Sequence, residues 1–318
     1  MRLDPSALAE GVRSGNRAAL ARAITLVESR LAAHVEAAER VLELLFPHTG
    51  RALRLGITGP PGAGKSTLVD ALGLHAIEQG HRVGVLAIDP TSERTGGSLL
   101  GDRTRMGRLA ARDEAFVRPS PSGGVAGGLG PRTREAMIVL EAGGYDVIVV
   151  ESVGVGQGEI AITDVVDVVL VLLLSGAGDA LQGMKRGLLE HADLVAFTKA
   201  DGARRAEAQA ARDELASLFT WLRPDGTPVL TVSALSGDGV PELWSELGRR
   251  KEALTRSGAL DERRRRQRRA WLSDALEQQL LARYLSDPDL ARRKQELEAE
   301  VERGALLPPV AARRLLPS

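Results

Sequence analysis

Apolar positions along the chain fall into three regimes. Over the first 48 residues they recur at helical spacing, through Leu20, Ile24, Val27 and Leu31 and again through Val41, Leu42, Leu44 and Leu45. That pattern predicts helices, stopped by the proline- and glycine-containing stretch 47–50. From residue 49 the pattern becomes short continuous apolar runs, at 53–58, 83–88, 115–118, 147–150, 168–174, 194–198 and 229–232, separated by amphipathic stretches. A strand that is apolar throughout is one covered by helices on both faces. Strand and helix alternating at this spacing predict right-handed crossovers and a mainly parallel sheet sandwiched by helices, an α/β fold. The Gly/Pro/Ser-rich stretch 119–131 predicts a loop, long enough for a compact domain to suggest a function. Beyond Ser257 charge dominates. Six arginines surround Gln267 in 263–269 and lead into a predicted helix with the stripe Leu272, Leu276, Leu280 and Tyr284. A second charged helix, 290–303, follows Pro288. The organisation expected is a helical extension (1–48), an α/β domain (49–256) and a helical arm (257–318).

The first of the α/β crossovers carries the strongest chemical signal. Gly59-Pro60-Pro61-Gly62-Ala63-Gly64-Lys65-Ser66-Thr67 matches G-x-x-x-x-G-K-[ST] and follows a predicted strand, the context the motif requires. Its glycines let backbone N–H groups wrap a phosphate, and the following helix adds its positive end. Lys65 is expected to reach the β- and γ-phosphates and Ser66 to ligate Mg²⁺. The fold expected is therefore that of a P-loop NTPase. Three acids stand at strand ends or in glycine-rich loops: Asp89, Asp102 and Glu151. A magnesium ion on a phosphate takes one or two carboxylates, directly or through water, so these are the candidate metal acids. Gln157, in the glycine-containing segment after Glu151, is a candidate for orienting the attacking water.

Composition sharpens the search for cations. The 318 residues include only five lysines, at 65, 185, 199, 251 and 294; arginine carries the remaining positive charge. Lys185 lies in a glycine-rich segment after the strand 168–174 and could neutralise transition-state charge. Lys199 lies in Thr198-Lys199-Ala200-Asp201, at the end of the strand 194–198. A carboxylate at Asp201 can accept both N1–H and N2–H of guanine, a donor pair adenine lacks, while the Lys199 stem covers the ring. Ser233-Ala234-Leu235, after the strand 229–232, is placed to supply a backbone N–H to the guanine oxygen. The usual GTPase element begins with asparagine, where this chain has Thr198.

Balanced charge, with 42 basic and 42 acidic side chains, gives no bulk case for a nucleic-acid or anionic-membrane partner. The arginine run reads as a solvated helix face. The absence of cysteine excludes a disulfide scaffold, a thiolate metal site and a cysteine nucleophile. The five histidines are scattered without metal-ligand spacing. The longest near-apolar run, 165–174, is half of what a membrane span needs, roughly twenty residues. With no apolar leader at the N-terminus, a cytoplasmic location is expected.

Several blocks together resemble one family. They are residues 19–29, 56–67, Asp89-Pro90-Thr91-Ser92, 96–106, 151–157 and 176–187. In these the chain is similar to the MeaB/ArgK-type GTPases associated with methylmalonyl-CoA mutase, the bacterial relatives of the human methylmalonic aciduria type A protein. The resemblance spans residues 19 to 285, and the blocks 96–106 and 176–187 are far more specific than the phosphate loop. It implies a G domain with an N-terminal helical extension and a C-terminal dimerisation arm, hence a homodimer. It also implies hydrolysis of GTP to GDP with Mg²⁺, gating adenosylcobalamin delivery to, or rescue of, an acyl-CoA mutase on a separate chain. By position Asp89, Asp102 and Glu151 match that family's metal and switch acids, and Lys185 a lysine of its third switch region. The chain departs from the family at Thr198, at Glu93-Arg94-Thr95 and in the glycine-richer stretch 123–130. Two other readings use the same phosphate loop: a small-molecule kinase that prefers ATP, and a non-catalytic nucleotide-dependent scaffold.

Overall fold

A computed structural model describes residues 4–29, 31–89, 106–121, 132–152, 161–176, 189–222 and 226–315; of residues 89, 121, 222 and 285 it describes the backbone alone. The chain divides into two compact units, Met1–Asp261 and Glu262–Ser318.

Among the described residues the first unit is built on seven strands: β1 (Leu53–Thr58), β2 (Val83–Asp89), β3 (Ala115–Pro121), β4 (Val147–Glu151), β5 (Val168–Leu174), β6 (Leu194–Thr198) and β7 (Val229–Thr231). They lie in the order β3-β2-β4-β1-β5-β6-β7, and every neighbouring pair is parallel. The apolar runs are strands as expected, and they are buried on both faces. Some of their ends differ from the expectation, and β7 stops one residue early, at Thr231. β2 and β4 each extend by one residue, which makes Asp89 and Glu151 the last residues of their strands. β3 extends to Pro121, so the first part of the expected loop 119–131 is strand. Proline is tolerated there because β3 is the outermost of the described strands.

On one face of the sheet, α4 (Lys65–Glu78) and α8 (Val240–Arg256) bury Leu68, Leu72, Leu243 and Leu247 against Leu55, Ile57 and Val85. On the other lies α6 (Thr133–Ala142); a Cβ placed on Gly84 of β2 would stand 3.0 Å from Leu140. A short helix, α5 (Gly107–Ala110), is pinned to α4 by buried Asp70, which accepts from Leu109 N and Arg108 Nε, both at 2.8 Å. A further helix, α7 (Arg205–Leu222), packs on β6 and β7.

The N-terminal pattern gives three helices, α1 (Pro5–Arg13), α2 (Arg17–Val27) and α3 (Ala32–Leu45), packed on one another and on α6. Asp4 and Asn16 cap the first two by accepting Ser6 N and Ala19 N at 2.9 Å. The expected stripe stops earlier than its spacing suggests: α2 ends at Val27, and Leu31 precedes α3 with 62% of its surface exposed. An ion pair ties this region to the sheet, and a second joins α6 to β1. Arg118 on β3 meets Glu28 at 2.5 Å, and Glu28 also accepts from Ser120 at 2.9 Å. Glu141 on α6 accepts from Gly50 N, Arg51 N and Ala52 N at 2.5, 2.5 and 2.8 Å and from Arg54 at 3.0 Å. Burial alone would raise the Glu141 pKa, but the Arg54 charge and the backbone donors outweigh it and hold the carboxyl below its ordinary value.

The second unit takes in most of α9 (Ala259–Leu285), with α10 (Pro288–Glu302) and α11 (Pro308–Leu315). The arginine run lies inside α9 rather than ahead of it, and Arg265 pairs with Glu262 one turn away at 2.8 Å. Leu272, Leu276 and Leu280 are 71%, 54% and 59% exposed. Asp287 caps α10 through Asp289 N at 2.8 Å, and α11, which the sequence pattern did not predict, packs on α10 with the Tyr284 hydroxyl donating to Leu315 O. Among the described residues no helix is long and apolar enough to cross a membrane.

Candidate functional site

β1 delivers the chain to a tight loop at the carboxyl edge of the sheet, the edge where parallel α/β sheets bind ligands. Gly59 leaves the strand at φ 145°, and a Cβ there would lie 2.4 Å from Leu172 O. Gly64 adopts φ 79° as the residue preceding α4. Both are backbone states that L side chains rarely enter. The loop therefore closes on itself and turns the first N–H groups of α4 inward, as an anion site requires. Lys65, the first residue of α4, donates from Nζ to Gly59 O at 2.8 Å and Pro60 O at 3.2 Å, which puts the ammonium across the loop mouth.

The next residue connects the loop to an acid. Ser66 Oγ donates to Glu151 Oε1 at 2.7 Å. The pairing follows from strand order: β4 lies beside β1 with Ile57 opposite Glu151, so the buried end of β4 comes up under the loop although 85 residues separate the two side chains. A hydroxyl and a carboxylate are hard oxygen donors, the chemistry Mg²⁺ takes, so this pair fits the ion. Asp89 ends β2, the other neighbour of β4, and stands at the same edge, two residues beyond Ala87, which pairs with Glu151. Among the described residues no three His, Cys, Asp or Glu gather as a metal cluster. Asp102, Gln157 and Lys185 lie outside the described residues.

A second arm of the site begins at the end of β6. Beyond Thr198 the chain turns sharply, with Lys199 at φ 57°, the single described non-glycine residue in the left-handed region. Asp201 then opens a helical turn, Gly202–Arg204. Ser233, after β7, donates from Oγ to Asp201 Oδ2 at 2.5 Å, which fixes one carboxylate oxygen. The Ser233 N–H is used within its own turn, on Asp238 O at 2.8 Å, leaving Ala234 and Leu235 as that turn's candidates for a base-facing amide. Between the two arms lies a cavity of about 520 Å³, walled by Ala63, Gly64, Thr67, Thr198, Lys199, Asp201, Ala234 and Leu235 among others. Residues that the sequence places in separate motifs thus share one cavity. Leu68, Val232 and the turn Ala203-Arg204 also line it and were not foreseen; only the proximity of Arg204 to Asp201 in sequence hinted at this.

The histidines stay out of the site. His81 pairs with Asp146 at 2.7 Å and packs edge-on against Trp244, whose ring centroid lies 5.2 Å away.

Residues 20–289 match the family described as methylmalonyl Co-A mutase-associated GTPase MeaB. The chain is similar to the probable GTPase Rv1496 of Mycobacterium tuberculosis, with 49% identity over 313 residues, covering 97% of this chain and 93% of that protein. It shares 42% identity over 320 residues with the GTPase ArgK of Escherichia coli, covering 98% and 97%. With the mouse mitochondrial methylmalonic aciduria type A homolog it shares 41% over 320 residues, covering 96% of this chain and 77% of that one. A solved structure described as LAO/AO transport system kinase aligns at a TM-score of 0.75 and 36% identity, over 99% of this chain and 98% of that chain.

Proposed function

From the premise that the chain belongs to the MeaB family of methylmalonyl-CoA mutase-associated GTPases, we propose that it is a cytoplasmic GTP hydrolase that gates an adenosylcobalamin-dependent acyl-CoA mutase carried on a separate chain. The observation that carries the nucleotide reading is the cavity spanning the phosphate loop and Asp201. A guanine fits its far wall through N1–H and N2–H to Asp201, with the Lys199 stem over the ring and Ala234 or Leu235 donating to the oxygen. The loop amides from Gly59 to Thr67 and the Lys65 ammonium take the phosphate charge. Ser66 and Asp102 are the proposed ligands of Mg²⁺, with Asp89 and Glu151 in direct or water-mediated contact; bound there, the ion neutralises charge on the β- and γ-phosphates. Gln157 and Lys185 remain the candidates for orienting water and offsetting transition-state charge. Catalysis in this arrangement is positioning and electrostatics, and the partner supplies whatever order the isolated site lacks.

The proposed subdivision is an N-terminal extension at 1–48, a G domain at 49–256 and a dimerisation arm at 257–318. The exposed leucines of α9 support the last of these, and with it a homodimer. Calorimetric titration tests the central reading. GTP and GDP are expected to bind in the presence of Mg²⁺, with ATP at least about tenfold weaker; equal binding of ATP would overturn the guanine assignment. The description of the solved relative as a transport system kinase favours one competitor, transfer of the γ-phosphate to a small acceptor. Release of all the γ-phosphate as inorganic phosphate, with none transferred to an added small-molecule acceptor, counts against it.

A further inference from the structure

We infer that Glu28, at the end of α2, is a positioning residue for the magnesium end of the site: it clamps the last residues of β3, and through them the tail of β2 that ends in Asp89. The inference rests on the nucleotide reading above, in which Asp89 contacts Mg²⁺ directly or through water. Glu28 is the C-cap of α2, so its carboxylate stands at the negative end of that helix, where it is disfavoured unless a cation lies beside it. Arg118 of β3 is that cation. It donates to Glu28 Oε2 from Nε at 3.0 Å and from Nη2 at 2.5 Å, and Nη2 also reaches Thr25 Oγ1 at 3.2 Å. The other carboxylate oxygen, Oε1, accepts from the Ser120 hydroxyl at 2.9 Å. Arg118 and Ser120 are two residues apart on a strand and so share one face, which lets a single carboxylate hold both. The Glu28 side chain is 10% exposed and Ser120 3%, so water competes little for these bonds.

The pairing of β2 carries the effect of this clamp to the site. From Val83 to Ala87 the strand is paired on both sides, with β3 and with β4, and Ala87 stands opposite Glu151. Its last two residues lie past that point. Ile88 is opposite Ser120 and Asp89 opposite Pro121, and among the described residues β3 is their only strand partner. By itself β3 is a poor support at this end. Pro119 and Pro121 have no N–H to give to a ladder, and β3 is the outermost of the described strands. Ser120, between the two prolines, is the residue that Glu28 holds. The place of Asp89 at the carboxyl edge is therefore set in part by a carboxylate on the N-terminal helices, far from it in sequence.

A clamp that acts through Asp89 and a tie that only stabilises the fold predict different signatures. The first weakens nucleotide binding as far as magnesium contributes to it; the second lowers stability without regard to the metal. The test uses the full-length protein, with calorimetric titration of the non-hydrolysable analogue GMPPNP in Mg²⁺ and in EDTA, and thermal unfolding without nucleotide. Glu28→Gln keeps the shape and an oxygen for Ser120 but deletes the charge that holds Arg118. It is expected to weaken GMPPNP about tenfold in Mg²⁺, the scale of one charged hydrogen bond, and to stay within about twofold of the parent in EDTA. Ser120→Ala removes only the neutral bond and is expected to weaken GMPPNP about threefold in Mg²⁺, again with little change in EDTA. Asp89→Asn supplies the reference. It is expected to weaken GMPPNP in Mg²⁺, and the double variant Glu28→Gln/Asp89→Asn to be no weaker than Asp89→Asn alone, since two residues that act through one contact are not additive.

Equal weakening in Mg²⁺ and in EDTA overturns the clamp. Parent-like affinity in both overturns it too, and with a lowered unfolding temperature assigns Glu28 a purely structural role. A double variant in which the two losses add shows that Glu28 does not act through Asp89, which is equally fatal. Should Glu28→Gln not fold, Ser120→Ala, alone and combined with Asp89→Asn, is read by the same criteria. If the parent binds GMPPNP equally in Mg²⁺ and in EDTA, or Asp89→Asn leaves binding unchanged, the metal reading of Asp89 fails and the clamp with it; if Asp89→Asn weakens binding while Glu28→Gln changes nothing, the clamp alone fails.

Discussion

Lys199 stands in a backbone conformation that costs a non-glycine residue roughly 1 kcal/mol or more. Strain of this kind persists where the surroundings over-determine it, and it sits here at the turn that lines the cavity. Lys199→Gly relieves it and deletes the stem proposed to cover the base. Thermal unfolding without nucleotide is expected to show a variant at least as stable as the parent, by about 1 kcal/mol, while GDP titration shows weaker binding. A variant that loses both stability and affinity would refute the strain argument. Glu141 tests a different kind of residue. Its carboxyl is depressed in the folded state, so its contribution to stability is present above the unfolded value, about pH 4.3, and is lost as pH falls through the lower folded one. Glu141→Gln is expected to cost about 2 kcal/mol in urea unfolding at pH 7 and progressively less below pH 4, where the parent loses the same interaction. At this scale the sequence was legible wherever chemistry is local. The phosphate loop announces itself because nine adjacent residues carry it. The contact of Thr198 with Ala63, across 135 residues, has no local trace.

Among the elements, continuous apolar runs identified all seven described strands because a strand buried on both faces leaves little room for polar residues. What the runs could not supply is adjacency. That β4 lies between β1 and β2 is decided by crossovers and packing, and the meeting of Ser66 with Glu151 depends on it. Charged helices were read less well than strands. The arginine run carries no apolar signal and so hid the first turns of α9, and α11 is too short to establish a period. The exposed leucines of α9 lead to a prediction at this scale. Replacing Leu272 and Leu276 together with aspartate is expected to convert the proposed dimer to a monomer in light scattering, with GDP affinity kept. A protein whose mass is unchanged by the double substitution would exclude this helix from the interface.

For the molecule as a whole, family membership and the sheet architecture agree, and each was visible in part beforehand: the first through the blocks 96–106 and 176–187, the second through periodicity. The two borders of the described sheet share a property that bears on the proposed dimer. At one border the outer strand carries Pro119 and Pro121, and at the other β7 is only three residues long. Proline offers no amide hydrogen, and a three-residue ribbon offers few rungs, so neither margin is a template onto which a foreign chain can add itself. Fibrillar growth by edge recruitment is thereby discouraged even at high concentration, and the proposed self-association is left to side chains on helices, where charge and shape can make it selective.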